Sequence, residues 1–317
     1  MKLLVTGGAG FICSNFVQYI LEKYPEYTLV NLDALTYAGS LDNLKKIADD
    51  PRHTFVQGRI EDGDLVDKLV QGIDLIVNFA AESHVDRSIV EPQVFIKTNV
   101  MGTQVLLDAA LRHKVKLFYQ ISTDEVYGAL PLDSKERFTE ESQLRPNSPY
   151  SASKTAADLL VWAYHRTYGL PVVISRCSNN YGPRQHAEKF IPTVILNALH
   201  GKPVPIYGDG LYVRDWIHVV DHCRTIDMVM HKGRPGEVYN VGADNELANI
   251  DLARQILHIL GKPEKLLTSV KDRPGHDRRY AIDCRKLQGQ LGWAPSIHFA
   301  EGLARTVEHY SRATGRH

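Results

Sequence analysis

The chain has 317 residues, room for one large or two modest domains around a substantial buried core. Its 37 lysines and arginines balance 37 aspartates and glutamates, which argues against a general nucleic-acid or anionic-membrane binder. No apolar run reaches the length of a membrane span, and the opening segment is too short for a signal-peptide core, so a cytoplasmic protein is expected.

In chain order, Lys2–Thr6 reads as a short apolar strand. The turn Gly7-Gly8-Ala9-Gly10 and a helical spacing over residues 14–23 follow. Strand, glycine turn and helix together bring backbone N–H groups to a helix N-terminus, where they hold a pyrophosphate. A second apolar strand, 28–32, ends at Asp33, an acid suited to the 2′-hydroxyl of an adenosine ribose. A carboxylate there repels a 2′-phosphate, so NAD is expected over NADP. Ser40 is a candidate N-cap for a helix over 40–50. Residues 54–56 read as a third strand ending at Gly58-Arg59-Ile60. A fourth, 73–79, leads to Ala80 and Ala81, small enough for a flat cofactor to lie on their backbone. A long helical pattern over 91–112 carries Thr98 and Asn99. This alternation predicts an α/β fold with a Rossmann-like, doubly wound parallel sheet, assigned to residues 1–180.

The fifth strand, 115–121, runs into Ser122-Thr123-Asp124-Glu125-Val126-Tyr127-Gly128. Ligands collect at the carboxyl ends of strands in such sheets, so two acids there are placed for chemistry. They can divide into acid and base if their environments separate their pKa values. The plainer alternative is that they cap the next turn. After a polar loop, Tyr150-Ser151-Ala152-Ser153-Lys154 opens a helix to about residue 168, with Tyr150 and Lys154 on one face. The ammonium is expected to lower the phenol's pKa and make it a base for a sugar hydroxyl. A second pair at this spacing, Tyr19 and Lys23, is read as packing and a solvated charge.

A sixth strand, 171–176, leads to Cys177-Ser178-Asn179-Asn180-Tyr181-Gly182-Pro183. Residues 181–317 then read as a smaller mixed α/β substrate lobe, with some chain returning to the first domain. Helices are expected at 190–199 and 250–260, strands around 204–207, 213–219 and 238–241, and fraying over 311–317. Arginines, asparagines and a Pro-Gly turn in this lobe suit an anionic, hydroxyl-rich ligand. The four cysteines (Cys13, Cys177, Cys223, Cys284) are far apart, with no C-x-x-C pair, so neither a metal site nor a disulfide framework is expected.

With Ala80-Ala81-Glu82-Ser83-His84-Val85-Asp86, Tyr207-Gly208-Asp209-Gly210 and Asp272-Arg273-Pro274-Gly275-His276-Asp277, these motifs carry a resemblance. From residue 2 to about 310 the chain resembles the nucleotide-sugar dehydratases of the extended short-chain dehydrogenase/reductase superfamily. The Asp124–Glu125 pair separates this reading from related epimerases and decarboxylases, which generally lack it. An NAD-dependent epimerase or decarboxylase using Tyr150 and Lys154 without elimination is the nearest rival. A catalytically silent dinucleotide-binding regulator is the rival from another class; it has little reason to keep these four residues together.

The resemblance implies dehydration of dTDP-glucose to dTDP-4-keto-6-deoxyglucose on one tightly held NAD. Tyr150, assisted by Lys154, would remove the C4 hydroxyl proton while hydride leaves C4, and Thr123 would bond the C4 oxygen. Glu125 would take the C5 proton, Asp124 would protonate the departing C6 hydroxyl, and the hydride would return to C6. Gly7, Gly10, Phe11, Ile12, Asp33, Ala34, Leu35, Thr36, Arg59, Ile60, Ala80, Ala81, Thr98 and Asn180 would surround NAD together with Tyr150 and Lys154. Ser83, Asn179, Glu188, Lys189, Pro205, Ile206, Tyr207, Arg214, Asn249, Arg273, Pro274, Gly275 and His276 would join Thr123 around the nucleotide sugar. Arg214 and Arg273 would take the diphosphate, where a guanidinium fork fits best. Relatives pair through a four-helix bundle, which implies a homodimer built on 91–112 and 151–168. Two positions depart from the pattern. Cys13 stands where a glycine lets the first helix pack closely, and Arg59 where an aspartate accepts a bond from the adenine amino group. Both point to weaker NAD retention.

Overall fold

Twelve strands define the frame of a computed structural model that describes residues 1–315. They are β1 (Lys2–Thr6), β2 (Thr28–Asp33), β3 (His53–Gln57), β4 (Leu75–Asn78), β5 (Leu117–Thr123) and β6 (Val172–Cys177). The others are β7 (Asn179–Tyr181), β8 (Val204–Tyr207), β9 (Val213–His218), β10 (Glu237–Val241), β11 (Glu246–Ala248) and β12 (Leu267–Val270). Seven form one parallel sheet in the order β10-β6-β5-β4-β1-β2-β3. Strand order reverses between β1 and β4, so a crevice opens outside their carboxyl ends, the usual ligand position in such sheets.

The sequence favours this sheet because its central strands are mostly apolar and buried on both faces. Every position of β4, β5 and β6 is buried. Helices Phe11–Lys23 and Val219–Lys232 cover one face through Phe16, Val17, Ile20, Ile226 and Val229. Helices Gly63–Val70, Thr103–Arg112 and Pro149–Tyr168 cover the other through Val66, Val70, Leu106, Leu107 and Val161. A third core, including Ile195, Trp216, Leu252, Ile256 and Leu303, lies among helices Phe190–Leu199, Asn249–Ile259 and Phe299–Ala313. There β9 pairs parallel to β7 and antiparallel to β11, and β8 pairs parallel to β12. Among the described residues no helix is long and apolar enough to cross a membrane.

Several elements differ from expectation for identifiable reasons. The helix expected over 91–112 is instead an α-turn, Pro92–Phe95, a π segment, Ile96–Gly102, and an α-helix, Thr103–Arg112. The π segment turns Asn99 inward, where its side chain accepts from Glu82 N at 2.9 Å and donates to Glu82 O at 3.0 Å and Ser153 Oγ at 2.8 Å. Such local widening is typically found at functional sites. Ser40 does cap a helix, but a 3₁₀ one, Leu41–Ile47. Helix Phe299–Ala313 continues where fraying was expected; residues 316 and 317 lie outside the described residues. Lys23 is not merely solvated: it pairs with the buried Asp227 of helix Val219–Lys232, joined there by the hydroxyls of Tyr19 and Tyr24. Burial pushes the Asp227 carboxyl up, but His231, Lys23 and Tyr24 outweigh it and hold the value at about 2.

Candidate active site

The crevice is a cavity lined by Gly7, Gly10, Phe11, Ile12, Asp33, Ala34, Thr36, Arg59, Ile60, Ala80, Ala81, Ser83 and Thr98. Thr123, Asp124, Glu125, Tyr150, Lys154, Asn179, Asn180 and Lys189 complete its inner end. Its floor begins at Gly7, where φ is +74° and a Cβ would meet the backbone of Ala80 at 2.9 Å. Any side chain there would push β1's turn off the chain leaving β4. Asp33 fastens the same turn, accepting from Ala9 N at 2.8 Å and from Leu35 N at 2.7 Å. Burial raises its pKa while those two bonds oppose the rise. Leu35 does not line the cavity; it contributes that N–H and packs on the core. Cys13 lies 1% exposed in the first helical turn, its thiol raised by burial, Asp33 and Cys223. The glycine turn, strand-end carboxylate and flat alanine wall fit a dinucleotide.

The turn after β5 is set by a buried polar chain. Arg176 on β6 pairs with Asp158 at 3.0 Å and donates to the Tyr127 hydroxyl at 3.0 Å. That hydroxyl donates to Asn240 on β10 at 2.7 Å. These bonds tie the 3₁₀ turn Asp124–Tyr127 to two neighbouring strands. Thr123 caps the turn by accepting from Glu125 N at 3.3 Å, so the cap is the threonine and neither acid is spent on it.

Asp124 is 1% exposed, and its Oδ2 has no hydrogen-bond partner among the described residues. Burial, then Glu125 and Asp215, push its carboxyl well above the ordinary range. Burial also raises Glu125, but Arg273, Arg214 and Lys189 oppose the rise. Both carboxyls are raised, but in unequal fields: Asp124 is pushed well up, while three cations limit the rise at Glu125.

Tyr150 and Lys154 stand on the helix whose start is fixed by a reciprocal capping box between Ser148 and Ser151. In the protein alone the net shift of the phenol is upward, opposite in direction to the lowering expected from Lys154. Burial, with Glu125 and Cys177, pushes Tyr150 well above 10, and only Thr123 pulls it the other way appreciably. The Lys154 ammonium donates to Ile121 O at 2.7 Å, and burial lowers its own pKa.

The remaining predicted residues divide into those at the cavity and those held elsewhere. Lys189 donates to Ser83 O at 3.0 Å, and Glu188 pairs with Arg87 at 3.3 Å. Arg273 and Tyr207 reach across the lobes to one carboxylate, Asp86, at 3.0 and 3.3 Å. Arg214 is 5% exposed, donates to Val213 O and Asp277 O at 2.8 Å each, and covers the Tyr280 ring. His276 stacks on Tyr212 next to Pro274 and Gly275, with burial and Arg273 holding its pKa at about 4. Asn249 opens a helix with its Oδ1 unpartnered among the described residues, and Pro205 pairs in register with Thr268. Ile206 is buried in the lobe's own core, away from the cavity. Asn180 is tied to His222 at 2.8 Å and Ser178 O at 3.0 Å. Sequence reasoning missed Glu61, Glu82, Gln185 and His186, which also line the cavity. Their placement depends on which loops fold over the sheet, and no local pattern encodes that.

A parallel sheet with a glycine turn, and a Tyr–Lys helix facing two strand-end acids, define a two-lobed enzyme of the extended short-chain dehydrogenase/reductase type. A family model described as GDP-mannose 4,6 dehydratase matches residues 4–306. The dTDP-glucose 4,6-dehydratase of Streptomyces antibioticus is 53% identical over 315 residues, 98% of this chain and 92% of that one. Low-salt glycan biosynthesis protein Agl12 of Haloferax volcanii is 54% identical over 310 residues, 98% of either chain. The crystal structure of DesIV, the dTDP-glucose 4,6-dehydratase of Streptomyces venezuelae with NAD and TYD bound, superposes with TM-score 0.97. It is 50% identical, with 99% of this chain and 98% of that one covered. This chain belongs to the dTDP-glucose 4,6-dehydratase family, a family of hydro-lyases.

Proposed function

We propose that the chain converts dTDP-glucose to dTDP-4-keto-6-deoxyglucose, with Asp124 as acid and Glu125 as base in the elimination. The unequal fields around these two neighbours carry the reading. Bound NAD supplies the hydride acceptor for C4 oxidation, returns the hydride to C6, and in its oxidised form brings a positive charge that favours the Tyr150 phenolate. Tyr150 takes the C4 hydroxyl proton while Thr123 bonds that oxygen. Lys154, fixed on Ile121 O, supplies a buried positive charge to the same end of the site. The ketone formed at C4 acidifies C5–H, and Glu125 takes that proton. Asp124 then gives its proton to the C6 hydroxyl as the C6–O bond breaks, releasing water. Glu125 finally protonates C5. The Ala80–Ala81 wall and the Gly7 turn hold the cofactor side, and Arg273, Arg214 and Lys189 hold the nucleotide-sugar side. An epimerase needs no second acid beside its base, which is why the pair disfavours that reading.

Turnover of dTDP-glucose in deuterated water tests the assignment to Glu125. Product carrying solvent deuterium at C5 is expected; product without it removes Glu125 from this role.

The protein pairs as a homodimer through helix Pro149–Tyr168 and the segments before Thr103–Arg112. Val90, Ile96, Met101, Leu159 and Trp162 stand exposed on these elements, Val90 at 79% and Leu159 at 56%. Large apolar side chains left exposed on neighbouring elements support an interaction site there. Leu159→Glu should convert a dimer to monomers in analytical ultracentrifugation. A monomeric unmodified protein would remove the dimer.

A further inference from the structure

At the outer end of the cavity the chain supplies a carboxylate that no motif announces. β3 is the edge strand beside β2, so the part of a dinucleotide beyond the ribose at Asp33 meets the segment after β3. There Ile60, 3% exposed, makes an apolar wall, and the Glu61 side chain beside it is 9% exposed. Thr98, carried inward by the π segment, donates to Glu61 Oε1 at 2.9 Å. Arg59 holds its half-exposed guanidinium 3.9 Å from the same oxygen. All four residues line the cavity. Gly102 permits the arrangement, because a Cβ there would meet Ile60 Cγ1 at 2.5 Å and Glu61 Cγ at 3.5 Å. A carboxylate can only accept, and Glu61 Oε2 makes no bond among the described residues. Thr98 holds one oxygen, Ile60 walls one side, and the other oxygen is left open to solvent and to an incoming donor.

Resting on the NAD assignment above, we propose that Glu61 accepts the hydrogen bond of the adenine amino group. Arg59, which cannot accept, balances the carboxylate's charge from the solvent side. The adenine end is then read by charge and donor pattern together: an amino group is welcomed, and an oxo group at the same ring position faces a carboxylate. The residue that discriminates is two positions beyond the Arg59 departure.

Equilibrium dialysis of the protein against equal concentrations of NAD and nicotinamide hypoxanthine dinucleotide reads this choice directly. The hypoxanthine ring carries an accepting oxo group where adenine donates. The unmodified protein should retain NAD over the analogue by about tenfold or more, the scale of a hydrogen bond to a charged group. In Glu61→Gln, whose amide both donates and accepts, the preference should fall to within about twofold. The unmodified-to-variant ratio removes any preference arising at other ring atoms. Thr98→Val, which loosens the carboxylate without deleting it, should lower the preference about threefold and serves where Glu61→Gln does not fold. Equal retention of both dinucleotides by the unmodified protein, or an undiminished preference in Glu61→Gln, overturns the assignment to Glu61. Retention of neither overturns the NAD assignment and this inference with it.

Discussion

Asp124→Asn should let the first oxidation run and stop the elimination. Asparagine keeps the shape of a side chain that is 1% exposed, but it has no proton acidic enough for a departing C6 hydroxyl. Overall turnover should fall by about 10²–10⁴, the usual weight of a positioned acid. In the first turnover the near-ultraviolet absorbance of reduced nicotinamide should rise and persist, where the unmodified enzyme shows it only transiently. Turnover within about threefold of the unmodified protein would strip Asp124 of the acid's role. The neutral form needs no help to form: burial, Glu125 and Asp215 all raise this carboxyl. Above its raised pKa the acid loses its proton, so the elimination slows as pH rises through that value.

Tyr150→Phe should fail one step earlier. The ring is 8% exposed and packs edge-on against Phe95 at 6.3 Å, so phenylalanine preserves the packing and deletes only the hydroxyl. Turnover should fall by about 10³ or more, with no reduced-nicotinamide absorbance in any phase. That absence separates it from Asp124→Asn. Because burial and Glu125 push the phenol well above 10, it stays protonated through the neutral range in the protein alone. The phenolate band missing from Tyr150→Phe should emerge only in strong alkali without NAD, and at lower pH with it. A phenol that titrates at or below its ordinary value without NAD would contradict this account.

The parts of the site written in short stretches of sequence could be read there. The β1 turn, Asp33 at the end of β2, the strand before Asp124 and the helix from Tyr150 each depend on residues within a few positions of one another. What escaped depends on distant partners. The π segment exists because Asn99 finds Glu82 and Ser153, which lie 17 and 54 positions away. Helix spacing puts Lys154 on the face of Tyr150 but does not show that its ammonium is anchored on Ile121 O, 33 positions back. The Tyr150 pKa follows burial, which spacing does not report. Lys23 looked solvated until the fold brought Asp227 to it from 204 positions along the chain. Glu61 had no motif at all, because its meaning comes from Thr98, 37 positions along the chain.

Ile96–Gly102 faces two ways. Thr98 turns into the cavity, while Ile96 and Met101 stand 48% and 55% exposed on the face assigned to the subunit contact. In the proposed dimer, one short stretch of backbone would serve both as a cofactor wall and as part of the assembly surface. Linkage then ties the two equilibria: any gain in NAD affinity on dimerisation is matched, factor for factor, by a gain in dimer affinity on NAD binding. A cell short of NAD would hold more of this protein as separated subunits to whatever extent that factor exceeds one, and the oligomer would report the cofactor supply.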